Sequence, residues 1–124
     1  MESPLLSVHQ ALGAKLGDFA GWQMPLEYPA PVGGGVLAEH QAVRERVGIF
    51  DVSHLGKISI IGPGAKSWAN QIFTNDLDRI TSGQAQYSLL CSDNGGVIDD
   101  VIIYCHSENE LLVIPNAANA QAVF

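Results

Sequence analysis

Two adjacent carboxylates, Asp99 and Asp100, stand inside the β-branched run Val97-Ile98-Asp99-Asp100-Val101-Ile102-Ile103-Tyr104, directly after the turn signal Asp93-Asn94-Gly95-Gly96. A carboxylate withdrawn from water is costly unless it is paired, hydrogen-bonded or protonated, so acids at the mouth of an apolar strand point to a ligand. Side chains of an extended strand alternate faces, which puts Ile98, Asp100, Ile102 and Tyr104 on one side and Val97, Asp99, Val101 and Ile103 on the other. The two acids are therefore not an acid and a base working across one substrate. Both faces are otherwise apolar, so the strand is expected to be covered on both sides, one acid looking into a cavity and the other pairing with backbone or solvent. The plainer alternative is a hairpin whose turn is capped by one acid through a backbone N–H.

Other candidate chemistry is weaker. His9, His40, His54 and His106 show no metal-ligand spacing, and His54 reads as closing an Asp51-Val52-Ser53-His54 bend. Gly62-Pro63-Gly64-Ala65-Lys66-Ser67 lacks the spacing of a phosphate loop and reads as a helix start. Tyr87 and Tyr104 can be core aromatics or ligand contacts.

The elements that must hold the acid pair follow from periodicity. Gln86 to Cys91, Val97 to Cys105 and Glu110 to Pro115 are strand-like, and their short connections predict an antiparallel meander. Upstream, Ala65, Trp68, Ala69, Ile72 and Phe73 repeat at helical spacing, which predicts a helix from Pro63 to Phe73. Ile49 to Ile61 reads as a strand, or two short strands broken at Ser53-His54. A helix is expected over Val36 to Val47 with Gly48 as its C′ residue, and another over Ser7 to Leu16, with loop between them as far as Gly35. Asn116 is expected to N-cap a last helix running into Phe124, as in a chain that continues further.

Composition bounds the rest. A chain of 124 residues with 47% hydrophobic content closes one core. Thirteen acids against six basic residues give a net charge of −7, which disfavours nucleic acid and anionic membrane surfaces as partners. Cys91 and Cys105 fit no disulfide framework, and Met1-Glu2-Ser3-Pro4-Leu5-Leu6 lacks the basic and apolar regions of a secretion signal, so the expected location is cytoplasmic.

Asp18-Phe19-Ala20-Gly21-Trp22-Gln23-Met24-Pro25, Glu39-His40-Gln41-Ala42-Val43-Arg44, Gly48-Ile49-Phe50-Asp51-Val52-Ser53-His54 and Asn94-Gly95-Gly96-Val97-Ile98-Asp99-Asp100 together resemble, in order and approximate spacing, the N-terminal portion of the glycine cleavage system T-protein family. The resemblance implies an α+β fold: one β(2)-α-β(3)-α half of a duplicated folate-binding domain, an antiparallel meander packed with helices, with residues 1–124 forming the N-terminal part of that domain. It implies aminomethyl transfer from the lipoyl arm of the H-protein to tetrahydrofolate with release of ammonia. The family's catalytic aspartate falls on Asp100, which would position the folate and stabilise the cationic carbon and developing ammonium. Its other folate contacts fall on Tyr87, Tyr104, Ile114 and Asn116, and on Leu55, which stands where many members have methionine. The Pro29-Ala30-Pro31-Val32-Gly33-Gly34-Gly35 stretch is glycine-richer than the family pattern.

Two further expectations attach to the resemblance. A half-domain with open sheet edges invites a homodimer. Few cations are present to meet a folate glutamate tail, so these residues alone should bind folate weakly and be inactive. Related alternatives are a folate-dependent demethylase domain and a non-enzymatic folate-binding scaffold for iron–sulfur assembly.

Overall fold

Alternation of side chains along the acid-bearing strand organises the C-terminal part of the molecule. In the computed structural model, which describes residues Met1–Phe124, β1 (Lys15–Phe19), β2 (Trp22–Glu27), β3 (Ile58–Ile61), β4 (Ala85–Cys91), β5 (Val97–Ser107) and β6 (Glu110–Pro115) are joined by α1 (Leu6–Ala11), α2 (Val36–Glu45), α3 (Ala65–Ala69) and α4 (Ala120–Val123). The chain divides into two compact units, Met1–His54 and Leu55–Phe124.

In the second unit β4, β5 and β6 form the expected antiparallel meander, and β3 pairs with β6 to give the order β3-β6-β5-β4. Gly95, at φ 83°, supplies the left-handed residue of the β4–β5 turn. Ser92 N–H closes that turn onto Gly96 O at 2.8 Å, and Asn94 Oδ1 accepts from Gly96 N–H at 3.1 Å, so neither acid caps it. A bulge between Leu90 and Cys91 sets Leu90 opposite Asp99 and Cys91 opposite Val97.

The odd-numbered residues of β5 and β6 turn inward. Val101, Ile103, Cys105, Leu111 and Val113 pack with Ala69, Phe73, Leu77 and Ile80 as one apolar core. The even-numbered face carries Ile102 and Tyr104, which are exposed. Cover on both faces, expected from the apolar sequence, is therefore not what this chain provides: one face is core and the other is open.

Helix α3 is shorter than its periodicity predicts. After Ala69 the backbone tightens into i→i−3 turns, with Gln71 N–H on Trp68 O at 3.0 Å and Ile72 N–H on Ala69 O at 3.0 Å. Phe73 then leaves to bridge Leu90, and Asn70 Oδ1 takes the Leu77 N–H at 2.6 Å. Sheet contacts thus override the helical pattern from residue 70 onward. Asn116 does not cap the last helix; Asn119 stands at its N-cap, with no side-chain cap bond.

The first unit differs more from expectation. The segment expected to be loop contains the β1–β2 hairpin, turned at Ala20-Gly21 where both residues have positive φ, 53° and 78°, as a two-residue turn of the primed type requires. Lys15 and Leu16 belong to β1, so α1 ends at Ala11. Helix α2 stops at Glu45, short of the expected Val47, and Arg46 breaks it with φ −139°. Strand structure between Ile49 and Ile61 is confined to β3. Ahead of it Asp51 Oδ1 accepts the Ser53 N–H at 2.8 Å, a side-chain-to-backbone bond that competes with extended pairing. No helix is long and apolar enough to cross a membrane.

Candidate functional site

Strand register decides which sequence candidates meet. Tyr87 lies opposite Ile102 and Ile102 opposite Ile114; Asp100 lies opposite Leu89; Tyr104 is flanked by Ala85 and Leu112. Tyr87, Asp100, Tyr104 and Ile114 therefore share the open face, since residues in register across neighbouring strands point the same way. Asn116 joins them just past β6, whose last residue, Pro115, is opposite Val101. Leu55 is not on a strand. It is half-buried and is brought near the end of β6 because the Gly56 N–H donates to Pro115 O at 3.0 Å.

The two acids have opposite surroundings. Asp99 is 3% exposed; it accepts the Asn116 backbone N–H at 2.8 Å, the Asn116 amide at 3.0 Å and the Asn119 amide at 2.8 Å. Burial pushes its carboxyl up, but the donors of Asn119 and Asn116 outweigh burial and hold it below the usual carboxylate range. Asp100 is exposed, and its Oδ1 receives the Asn116 amide at 2.9 Å. Partial loss of hydration and then the Asp100 charge push the Tyr87 hydroxyl up, so it remains a donor at neutral pH.

The face thus presents an oriented anion and a phenol donor beside apolar surface from Ile102, Ile114 and Tyr104. Such a surface suits a flat, partly cationic ligand laid across the strands. Two cavities lie elsewhere. One of about 370 Å³, within the first unit, is lined by Lys15, Glu27 and Tyr28. The other, of about 380 Å³ within the second, is lined by Ile58, Trp68, Phe73, Leu90 and Phe124. Asp100 lines neither of them.

Sequence reasoning missed Asn119 as an Asp99 ligand, although Asn-x-x-Asn after a strand is a legible signal for a pair of amides on one turn. It also missed a buried network in the first unit. Asp51 Oδ2 accepts from the Ser3 hydroxyl and lies 2.8 Å from His9 Nε2, and His9 Nδ1 is 2.7 Å from the Tyr28 hydroxyl. Burial raises the Asp51 carboxyl, while Ser3, Ser53 and His9 together pull it far below its ordinary range. His54 follows that bend: its ring meets Phe19 edge-on with centroids 5.2 Å apart, and Asp51, not His54, closes the turn.

Comparison with known proteins places these observations in a family. The GCVT N-terminal domain family matches residues 5–124. The sequence is 58% identical over 117 residues to an aminomethyltransferase of Frankia alni, covering 94% of this chain and 31% of that protein. It is 50% identical over 123 residues to an aminomethyltransferase of Mycobacterium tuberculosis, covering 99% of this chain and 32% of that protein. The crystal structure of glycine cleavage system aminomethyltransferase T from Bartonella henselae matches with a TM-score of 0.90 at 40% identity, covering 100% of this chain and 33% of that one. The chain spans about a third of the length of the relatives it matches.

Proposed function

This chain belongs to the GCVT N-terminal domain family, and from that premise we propose that residues 1–124 serve as the N-terminal part of an aminomethyltransferase that draws its substrate from a lipoylated carrier, the H-protein of the glycine cleavage system. Tetrahydrofolate, when bound, would accept the one-carbon unit through two new N–C bonds, the carbon giving up ammonia and the thiol of the carrier's lipoyl arm, each of which takes one of the two displaced N–H protons. The open sheet face suits a pterin: it is flat, flanked by aromatic and aliphatic side chains, and edged by hydrogen-bonding groups. Tyr87, Tyr104 and Ile114 supply the surface on which such a ring rests. Asn116 spends both amide hydrogens on neighbouring acids, which leaves its carbonyl to accept from a ligand N–H.

Asp100 carries the chemistry in this reading. A fixed carboxylate near a carbon that becomes positive as its amine departs lowers the barrier by favouring charge that is larger in the transition state than in the ground state. Water must leave that face for the effect to be strong, because an exposed charge is screened. The observation that supports the reading is the convergence of Asp100, Tyr87, Tyr104, Ile114 and Asn116 on one side of one sheet.

The test uses the full-length gene product, assayed with aminomethyl-loaded H-protein and tetrahydrofolate. Asp100→Asn keeps the shape and removes the charge; kcat is expected to fall about 100-fold, the usual scale for losing one electrostatic contact to the transition state, with melting temperature unchanged. Wild-type kcat in this variant would end the proposal.

A further inference from the structure

The buried acid has no route to a ligand on the open face, yet it is built with more care than the exposed one. Asp99 sits on the core side of β5 and is held by the Asn119 amide at 2.8 Å, the Asn116 N–H at 2.8 Å and the Asn116 amide at 3.0 Å. The same Asn116 amide nitrogen lies 2.9 Å from Asp100 Oδ1 and 3.0 Å from Asp100 O. One NH₂ group therefore spans from the inward acid to the outward one. Its orientation is dictated by chemistry: turning the amide over would set its oxygen against three other oxygens.

This bridge is possible because Asn116 follows the last residue of β6, where the side chain is no longer confined to one face of the sheet. Asp99 is the fixed end. It is ionised, nearly unexposed, and its backbone donor, Asn116 N–H, comes from the residue whose amide reaches Asp100. The carboxylate of Asp100, by contrast, is exposed, and an exposed aspartate without such a tether samples several rotamers.

We propose that Asp99 is a positioning residue for the transferase reaction: acting through the Asn116 amide, it holds the Asp100 carboxylate in one orientation on the open face. This rests on the reading of Asp100 given above. It adds that the inner acid of the pair acts by orientation, with Asp99 touching neither substrate nor folate. Asp99→Asn is the informative change, because it keeps the volume but turns one acceptor into a donor that must face the Asn116 or Asn119 donors. The Asn116 amide then swings away and Asp100 is released.

The experiment is a double-mutant cycle in the full-length gene product, with kcat, KM for tetrahydrofolate and melting temperature measured for Asp99→Asn, Asp100→Asn and the pair. Asp99→Asn alone is expected to lower kcat on the order of tenfold, the scale of a misplaced reacting group, and to have no further effect on kcat in the Asp100→Asn background. Should Asp99→Asn fail to fold, Asn119→Ala removes one donor to Asp99 and is expected to lower kcat about threefold with the same non-additivity. The Asn116 side-chain amide resonance, assigned by NMR, is expected to move in either variant.

Equal losses in both backgrounds, or full kcat in Asp99→Asn and Asn119→Ala, overturn the positioning role while leaving Asp100 in place. Full kcat in Asp100→Asn overturns the transferase reading and this inference together.

Discussion

Each unit of the molecule withdraws a carboxylate from water, and the two are solved differently. Asp51 is met by hydroxyl and imidazole partners, Ser3 and His9, and His9 is met in turn by Tyr28. That chain of bonds begins and ends among residues of the same unit. Asp99 is met only by amides, which cannot titrate, and one of those amides continues to an exposed acid. Both carboxyls are held below their ordinary range by donors that outweigh burial. The difference lies in where each network ends: that of Asp51 stops at the Tyr28 hydroxyl, while that of Asp99 reaches an exposed carboxylate on the open sheet face.

The largest effect that can break this comparison is expected at Asp51. Asp51→Ala leaves His9, Ser3 and the Ser53 N–H without their acceptor and should cost about 3–5 kcal/mol, since each buried donor left unpaired costs about 1–3 kcal/mol. Trp22 lies in the first unit and Trp68 in the second, so fluorescence-detected unfolding in a Trp68→Phe background reads the first unit alone. Asp99→Ala should cost less, about 1–3 kcal/mol, because the Asn116 amide keeps its bonds to Asp100. An equal loss at the two sites would erase the distinction.

Acid titration sharpens it. Both folded-state pKa values are lower than in the unfolded chain, so both carboxylates add stability above about pH 4 and lose it as pH falls through the folded values. Stability measured by denaturant unfolding should be flat in these contributions near neutrality and decline below about pH 4. Asp51→Asn should flatten that decline more than Asp99→Asn. A decline unaffected by either change would show that other groups govern acid unfolding.

The smallest effect is expected at Gly56, where an added Cβ would lie 2.6 Å from Pro115 Cγ and 2.9 Å from Ala120 Cβ. Gly56→Ala should cost about 1–2 kcal/mol of stability as an overpacked contact. It pushes on the end of β6 beside Asn116, so its effect on kcat should exceed what the lost stability explains. If stability and kcat both stay at wild-type values, the end of β6 gives way to an added methyl and does not fix Asn116.

Much of the second unit was legible because its determinants are local. The meander follows from three apolar runs, the Asp-Asn-Gly-Gly turn and the short connection from His106 to Asn109, and strand alternation alone separated Asp99 from Asp100. What escaped was set by distant contacts. The Pro63–Phe73 periodicity was real, since Ala69 and Phe73 do enter the core, but Phe73 reaches it as a bridge to Leu90 and not on a helix. The β1–β2 hairpin was hidden by Pro25 within β2 and by Gly17 within β1, both discouraged in strands. Its Ala-Gly turn was the available signal. Asp51 and His9 are 42 residues apart in the chain, and no spacing rule connects them.

The irregularity where Cys91 meets Val97 has a bearing on how such a protein tolerates change. Ile98 has no partner there, so the strand carries one spare position between the hairpin loop and the acid pair. A residue gained or lost in the loop can be absorbed at that spare position. Without it, the same event would pass down β5 and exchange the inward carboxylate for the outward one. The loop is thereby free to drift in length while the acid pair beside it keeps its handed arrangement.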